Sequence, residues 1–110
     1  MRRYTGWVVG ICLVLAVGRA YAAPELRAFW VDTWHAALRT PAEADALIQA
    51  ARTAKANALF VEVRKRGDAY YLSHYEPTAS DVSGGFDPLA YLIQRAHHET
   101  PRLEVHAWLV

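Results

Sequence analysis

The chain is poor in cysteine, methionine and glycine: its 110 residues include one Cys, one Met and six Gly. The single cysteine, Cys12, falls in an N-terminal segment of export-signal type, so the mature chain is expected to have no disulfide and no thiol chemistry. There is no Gly-rich phosphate loop, dinucleotide fingerprint or Gly-x-Ser-x-Gly elbow, which sets aside those nucleotide-binding and hydrolase classes. His35, His74, His97 and His98 lack the spacing of a metal site, and nothing in the pattern calls for a cofactor. A charge excess is missing too. Without Arg2, Arg3 and Arg19, nine Lys and Arg face eleven Asp and Glu, a formal charge of about −2. Such a balance gives no attraction to nucleic acid or to an anionic membrane. Repeats and low-complexity tracts are absent.

The N-terminus reads as a cleavable signal over residues 1–22. Arg2 and Arg3 precede an apolar run, Trp7 to Val17, of about eleven residues, too short to span a bilayer. Ala20-Tyr21-Ala22 then has the small-x-small form that signal peptidase reads. The expected mature chain, residues 23–110, is exported to a periplasm or to the medium and keeps no membrane span.

Beyond the signal the pattern alternates. Leu26 to Trp34 is aromatic and β-branched and predicts a first strand. Thr40-Pro41-Ala42-Glu43 opens a helix with a capping residue, a proline at the first position and a capping-box glutamate. Ala44, Leu47, Ile48, Ala51 and Ala54 make its apolar stripe, and Asn57 is the expected left-handed cap. Ala58 to Val63 predicts a second strand, apolar but for Glu62, as in a buried parallel sheet. A connection of about 23 residues follows, Arg64 to Phe86. Asp87-Pro88 starts a second helix, with Phe86 placed to staple onto Tyr91, and Leu103 to Val110 predicts a third strand. Strand-helix-strand-helix-strand implies an α/β fold with a parallel sheet. A connection that long after a strand C-terminus is where parallel α/β folds carry function. Three strands and two helices leave both sheet edges and one face uncovered, so residues 23–110 are expected to be the N-terminal part of a larger unit.

Leu26-Arg27-Ala28-Phe29-Trp30-Val31, Phe60-Val61-Glu62-Val63-Arg64, Gly67-Asp68-Ala69-Tyr70-Tyr71, Glu76-Pro77, Phe86-Asp87-Pro88-Leu89 and Glu104-Val105-His106-Ala107-Trp108 follow one another in this order. Together they resemble the start of the glycosyl hydrolase-like ten domain, a bacterial family of secreted (β/α)8 barrels. The resemblance implies a partial TIM barrel, strands one to three with two helices, of which the whole takes roughly 250 residues. It also implies a glycan substrate outside the cytoplasm, cell-wall strands included, and hydrolysis of glycosidic bonds by carboxylates on later strands. Ala28 stands where the family usually has Gly, and Lys65-Arg66 and Glu99-Thr100-Pro101-Arg102 replace its usual turns. They read as surface or turn variation. The rival readings are a glycan-binding barrel without catalysis and a truncated gene product without activity.

Six residues are the candidates for touching a glycan. Arg64 ends strand two and can fix a carboxylate or bridge sugar hydroxyls. Asp68 follows the turn at Gly67, and the two together read equally well as an ion pair shaping the loop. His106 and Trp108 share one face of strand three, as a polar contact and a stacking platform or as core. Asp32 and Trp34 lie at the end of strand one, on the same rim. Glu62 requires a buried partner, for which Arg64 and His106 are the expected choices, and Asp32 is its nearest candidate for a catalytic pair.

Overall fold

A computed structural model describes residues 23–110. The expected signal, residues 1–22, lies outside the described residues. The elements are β1 (Ala28–Val31), α1 (Pro41–Thr53), β2 (Ala58–Lys65), β3 (Asp68–Ala69), α2 (Pro88–His97) and β4 (Glu104–Leu109). This is a mixed α/β arrangement of one small sheet and two helices.

β2 is the centre of the sheet. β1 lies parallel on one edge, in register from Ala28↔Ala58 to Val31↔Val61. β4 lies parallel on the other edge, from Ala58↔Glu104 to Arg64↔Leu109, with one extra β2 residue accommodated between Glu62 and Arg64. The two-residue β3 pairs antiparallel with the end of β2, Arg64↔Ala69 and Lys65↔Asp68. Because β4 runs the length of one β2 edge, β3 takes the other, beyond the point where β1 stops.

Both helices pack on one face of the sheet. Leu59, Val61 and Val63 of β2 join Ala44, Ile48 and Ala51 of α1 and Leu92 and Ala96 of α2 in one buried cluster. Each fully buried Leu, Ile or Val side chain of this cluster contributes about 1.5–3 kcal/mol relative to exposure. Among the described residues no helix lies over the opposite face: Trp30 is 70% exposed and His106 is also exposed.

The helix starts follow the local signals. Thr40 Oγ1 accepts from the Glu43 N–H at 3.2 Å, and Asp87 Oδ1 accepts from the Ala90 N–H at 2.9 Å. Phe86 and Tyr91 meet edge to face with centroids 5.5 Å apart. Three expectations need correction. The Glu43 carboxylate does not close a capping box on Thr40; it accepts from the Arg39 N–H at 2.9 Å, one residue earlier. The left-handed residue after α1 is Lys55, with φ 55°, not Asn57. Asn57 instead fastens the incoming chain: its Oδ1 accepts from Arg27 N–H at 2.8 Å and its amide donates to Glu25 O at 2.6 Å. Strand one ends at Val31, short of Trp34, because Asp32 Oδ1 accepts from the N–H groups of Trp34 and His35 and turns the chain.

The long connection is built, not structureless. Arg66 (φ 49°) and Gly67 (φ 82°) make a hairpin turn with two successive positive φ values, the geometry that matches strand twist. Beyond β3, Ala69 exchanges backbone hydrogen bonds with Pro77 and Ala79, both at 2.9 Å. The Tyr70 carbonyl then accepts from Leu89 N–H at 3.0 Å and so ties the loop to the start of α2.

Candidate functional site at the C-terminal ends of the strands

The helix-free face carries an aromatic row across the three parallel strands. Trp30, Phe60 and His106 stand in register. Trp30 stacks on Phe60 at 5.0 Å between centroids, and Phe60 stacks on His106 at 4.9 Å. Trp108, one step further along β4, meets Trp30 edge-on at 5.3 Å. Strand alternation thus brings His106 and Trp108 to one face as expected. Trp30 and Phe60 were not singled out for the site, although strand alternation, which puts Phe60 on the same face as Glu62, with Trp30 opposite Phe60 in register, is the signal that finds them.

Glu62 is 1% exposed, and the C-terminal end of β1 supplies its partner. Its Oε2 accepts from the Thr33 N–H at 2.8 Å and from the Thr33 hydroxyl at 3.0 Å. The expected partners, Arg64 and His106, are engaged elsewhere. His106 Nε2 lies 3.1 Å from Glu104 Oε2. Arg64 points to the β4 side of the rim. Its guanidinium makes a close ion pair with Glu76 and donates to the Val110 carbonyl at 3.0 Å. The expected Arg64–Asp68 pair is therefore replaced by Arg64–Glu76. The loop folds back at Ala69 and Thr78, which delivers Glu76 to β2. The Tyr71 hydroxyl donates to the second Glu76 oxygen at 2.9 Å. The Arg64 bond, then the Tyr71 bond, hold the Glu76 pKa below its usual value.

Lys65 points the other way, to the β1 side. It is 9% exposed, and its ammonium donates to the Thr33 carbonyl at 2.9 Å. The Trp34 and Tyr70 ring centroids lie 4.8 and 5.2 Å from it. Burial works against its charge, but the Tyr70 hydroxyl and the nearby acids Asp81 and Asp68 outweigh that cost and raise the pKa. A position read as turn variation is thus a buried ionic centre. Tyr70 is fully buried, and its hydroxyl donates to Asp81 at 2.9 Å. A polar cleft of about 350 Å³ lies here, lined by Lys65, Arg66, Asp68, Ser80 and Asp81.

The remaining candidates also lie on this rim. Asp32 is occupied locally: its carboxylate accepts from two N–H groups and lies 2.9 Å from His35 Nδ1. The side-chain bond to His35 is the main cause of its lowered pKa, supported by those N–H groups against the cost of burial. Trp34 is 53% exposed, with the Arg66 guanidinium 4.1 Å from its ring centroid. Asp68 lines the cleft with a buried Oδ1 that has no hydrogen-bond partner. Five of the six candidates therefore gather at the C-terminal ends of the strands, His106 stands mid-strand opposite Phe60, and the six divide between two settings. Trp108, His106 and Arg64 lie with β4, and Asp32, Trp34 and Asp68 lie around the end of β1 and the hairpin. A second cleft, of about 410 Å³, sits at the opposite end of the strands, between Arg27, Arg52, Asn57 and Pro101. Among the described residues no three His, Cys, Asp or Glu side chains come close enough to hold a metal ion. No described helix is long and apolar enough to cross a membrane.

No protein-family model matches the chain. It is similar to Glycosyl hydrolase YngK of Bacillus subtilis (strain 168), with 38% identity over 58 residues, 47% of this chain. That match spans 11% of the relative's length. The relationship is glycosyl hydrolase-like and partial.

Proposed function

We propose that this chain is the N-terminal part of an exported (β/α)8 barrel that hydrolyses glycosidic bonds of envelope or extracellular glycans. It supplies the first three parallel strands and the first large rim loop. The observation that carries the reading is the aromatic row Trp30–Phe60–His106, continued by Trp108, on the helix-free sheet face next to Arg64. In a barrel that face turns inward, and its C-terminal end is where substrate is held. Flat aromatic faces with a few polar groups among them suit the apolar and hydroxylated faces of a sugar ring. The likeness to a protein named a glycosyl hydrolase supports the same assignment.

On this reading Trp108 and Trp34 are stacking surfaces, and Arg64, Asp68, His106 and Asp32 are polar contacts to the glycan. Glu62 is a positioning residue: with Thr33 donating twice to it, it fixes the end of β1 against β2. General acid and base would come from carboxylates elsewhere in the whole barrel, because two free carboxyl groups facing each other across a bond are what the chemistry needs.

The test is to express the complete open reading frame and assay it on peptidoglycan and on a panel of neutral polysaccharides, following new reducing ends. Release of reducing ends that is lost on Trp108→Ala supports the reading. Glycan binding without any bond cleavage would replace it with the non-catalytic alternative. Neither binding nor cleavage would leave the aromatic row as packing and sink the proposal.

A further inference from the structure

A guanidinium at the rim of a sugar-binding face ordinarily selects a carboxylate, because its planar fork of N–H groups matches one bidentately. Arg64 is not free to do so. Its Nε is committed to the close ion pair with Glu76, and its Nη1 donates to the Val110 carbonyl at 3.0 Å. Glu76 also accepts from the Tyr71 hydroxyl at 2.9 Å, so the pair is fixed from both sides. It is nevertheless within reach of a ligand: the Arg64 side chain is 34% exposed and that of Glu76 24%. Both partners keep unused groups. Arg64 Nη2 donates to none of the described residues. A carboxylate has about four acceptor positions, and Arg64 and Tyr71 occupy only part of them.

The local charge decides which sugars fit. The Glu76 carboxylate cancels the Arg64 charge at contact distance. A carboxylate brought to Arg64 would stand beside Glu76, a like-charge contact that costs binding. Asp68 adds a further negative charge to the surroundings of Arg64. Lys65 and Arg66 are turned to the β1 side, toward Thr33 and Trp34. Further back along β4, Glu104 and His106 face each other at 3.1 Å. Among the described residues, the β4 side of the rim therefore offers an incoming anion no unopposed cation. An uncharged sugar meets no such penalty. Its hydroxyls can donate to Glu76 and accept from Arg64 Nη2 while the ring lies on Trp108. From this we infer that the sugar unit held between Trp108 and the Arg64–Glu76 pair is uncharged, and that Glu76 is the residue that excludes uronic acids and other carboxylated sugars. The presence of a glycan rests on the proposed function; its charge class is what the ion pair adds.

Affinity electrophoresis of the full-length protein tests this by comparing gels of neutral polymers (β-glucan, mannan, galactan and glycol chitin) with gels of polyuronates (polygalacturonate and alginate). The parent protein is expected to be retained by at least one neutral polymer and by neither polyuronate. Glu76→Gln keeps the size of the side chain and removes its charge. It should raise affinity for a polyuronate about tenfold or more, the scale of a relieved like-charge contact. Adding Arg64→Ala to that variant should abolish the gain, because Arg64 is the cation that Glu76→Gln sets free. A loosened or misfolded loop lowers binding, so a gain confined to one class of ligand is not produced by damage to the fold. Two results overturn the inference: the parent is retained by polyuronates as strongly as by neutral polymers, or Glu76→Gln gains no affinity for them. Either leaves the proposed function standing, since a glycan is still bound. Retention by neither class overturns the inference and the glycan reading together.

Discussion

Thr33 gives both its N–H and its hydroxyl to a single oxygen of Glu62, at 2.8 and 3.0 Å. Both residues are 1% exposed, so the carboxylate has little water to fall back on. Thr33→Val keeps the shape and removes one of the two donors. A hydrogen bond to a charged group contributes about 1.5–3 kcal/mol, and the orphaned acceptor adds to the loss. Thr33→Val should therefore lower unfolding free energy by about 2–3 kcal/mol in urea titrations followed by Trp fluorescence. Glu62→Gln, whose amide oxygen can still accept both bonds, should cost less. Equal costs for the two would mean that the carboxylate charge, not the donor count, sets the stability of this corner.

The two helix caps make a second comparison. Thr40 offers one bond, to Glu43 N–H at 3.2 Å. Asp87 offers two: Oδ1 to Ala90 N–H at 2.9 Å and Oδ2 to Leu72 N–H at 3.1 Å. Its second oxygen ties the rim loop to the start of α2. Replacing a cap with alanine costs about 0.5–2 kcal/mol. Asp87→Ala is expected at the upper end and Thr40→Ala at the lower. Hydrogen exchange should also separate them, since only Asp87→Ala should accelerate exchange at Leu72. Unchanged protection there would assign Asp87 to capping alone.

Features set by neighbouring residues were readable in the sequence, and those set by the path of a loop were not. The Thr40-Pro41 and Asp87-Pro88 starts each depend on one side chain and a backbone N–H three residues on, so pattern alone found them. The parallel order of β1, β2 and β4 followed from alternation. Trp34 was drawn into the first strand by composition, because Asp32's turn-forming bonds compete with extended structure and leave only a polar residue as a sign. Glu76 was missed as the partner of Arg64 because the two are twelve residues apart and meet only when the loop doubles back at Thr78. Lys65 was missed because lysine is rarely buried. The available hint was the following Arg66-Gly67 pair, a turn signal that makes Lys65 the last strand residue and Asp68 its cross-strand neighbour.

The Arg64–Glu76–Tyr71 cluster predicts a pH dependence with a definite sign. The Glu76 carboxyl is held below its ordinary 4.5, by the Arg64 bond first and the Tyr71 bond second. A depressed folded-state pKa means that the carboxylate stabilises the folded loop above the unfolded value. That contribution disappears as pH falls through the folded one. The loop should therefore loosen only in the acid range below about 4.5, and neutral or mildly alkaline buffers should not affect it. Proteolysis within residues 72–78, followed as a function of pH, reads this directly. Glu76→Gln should raise cleavage at neutral pH and flatten the acid limb. A limb that persists in that variant would have to come from another carboxylate, and Asp32, also lowered, is the next to replace.

The aromatic row separates a sugar platform from a packing surface. Trp30 is 70% exposed although it touches both Phe60 and Trp108, so truncating it opens little of the helix-side core. As a platform it would contribute a stacking interaction of about 0.5–1.5 kcal/mol, and Trp30→Ala should weaken glycan binding by about twofold to tenfold. Stability in urea should change by less than for Leu92→Ala, which empties a fully buried site and costs about 2–5 kcal/mol. His106→Ala removes the partner stacked on Phe60 and one polar contact, and should act in the same direction as Trp30→Ala. Affinity electrophoresis of the full-length protein in polysaccharide gels measures all three. Lost retention with stability kept assigns the row to the ligand. If instead stability falls and retention stays, the row is the inner lining of a larger core, and ligand contact must be sought at Arg64 and the hairpin.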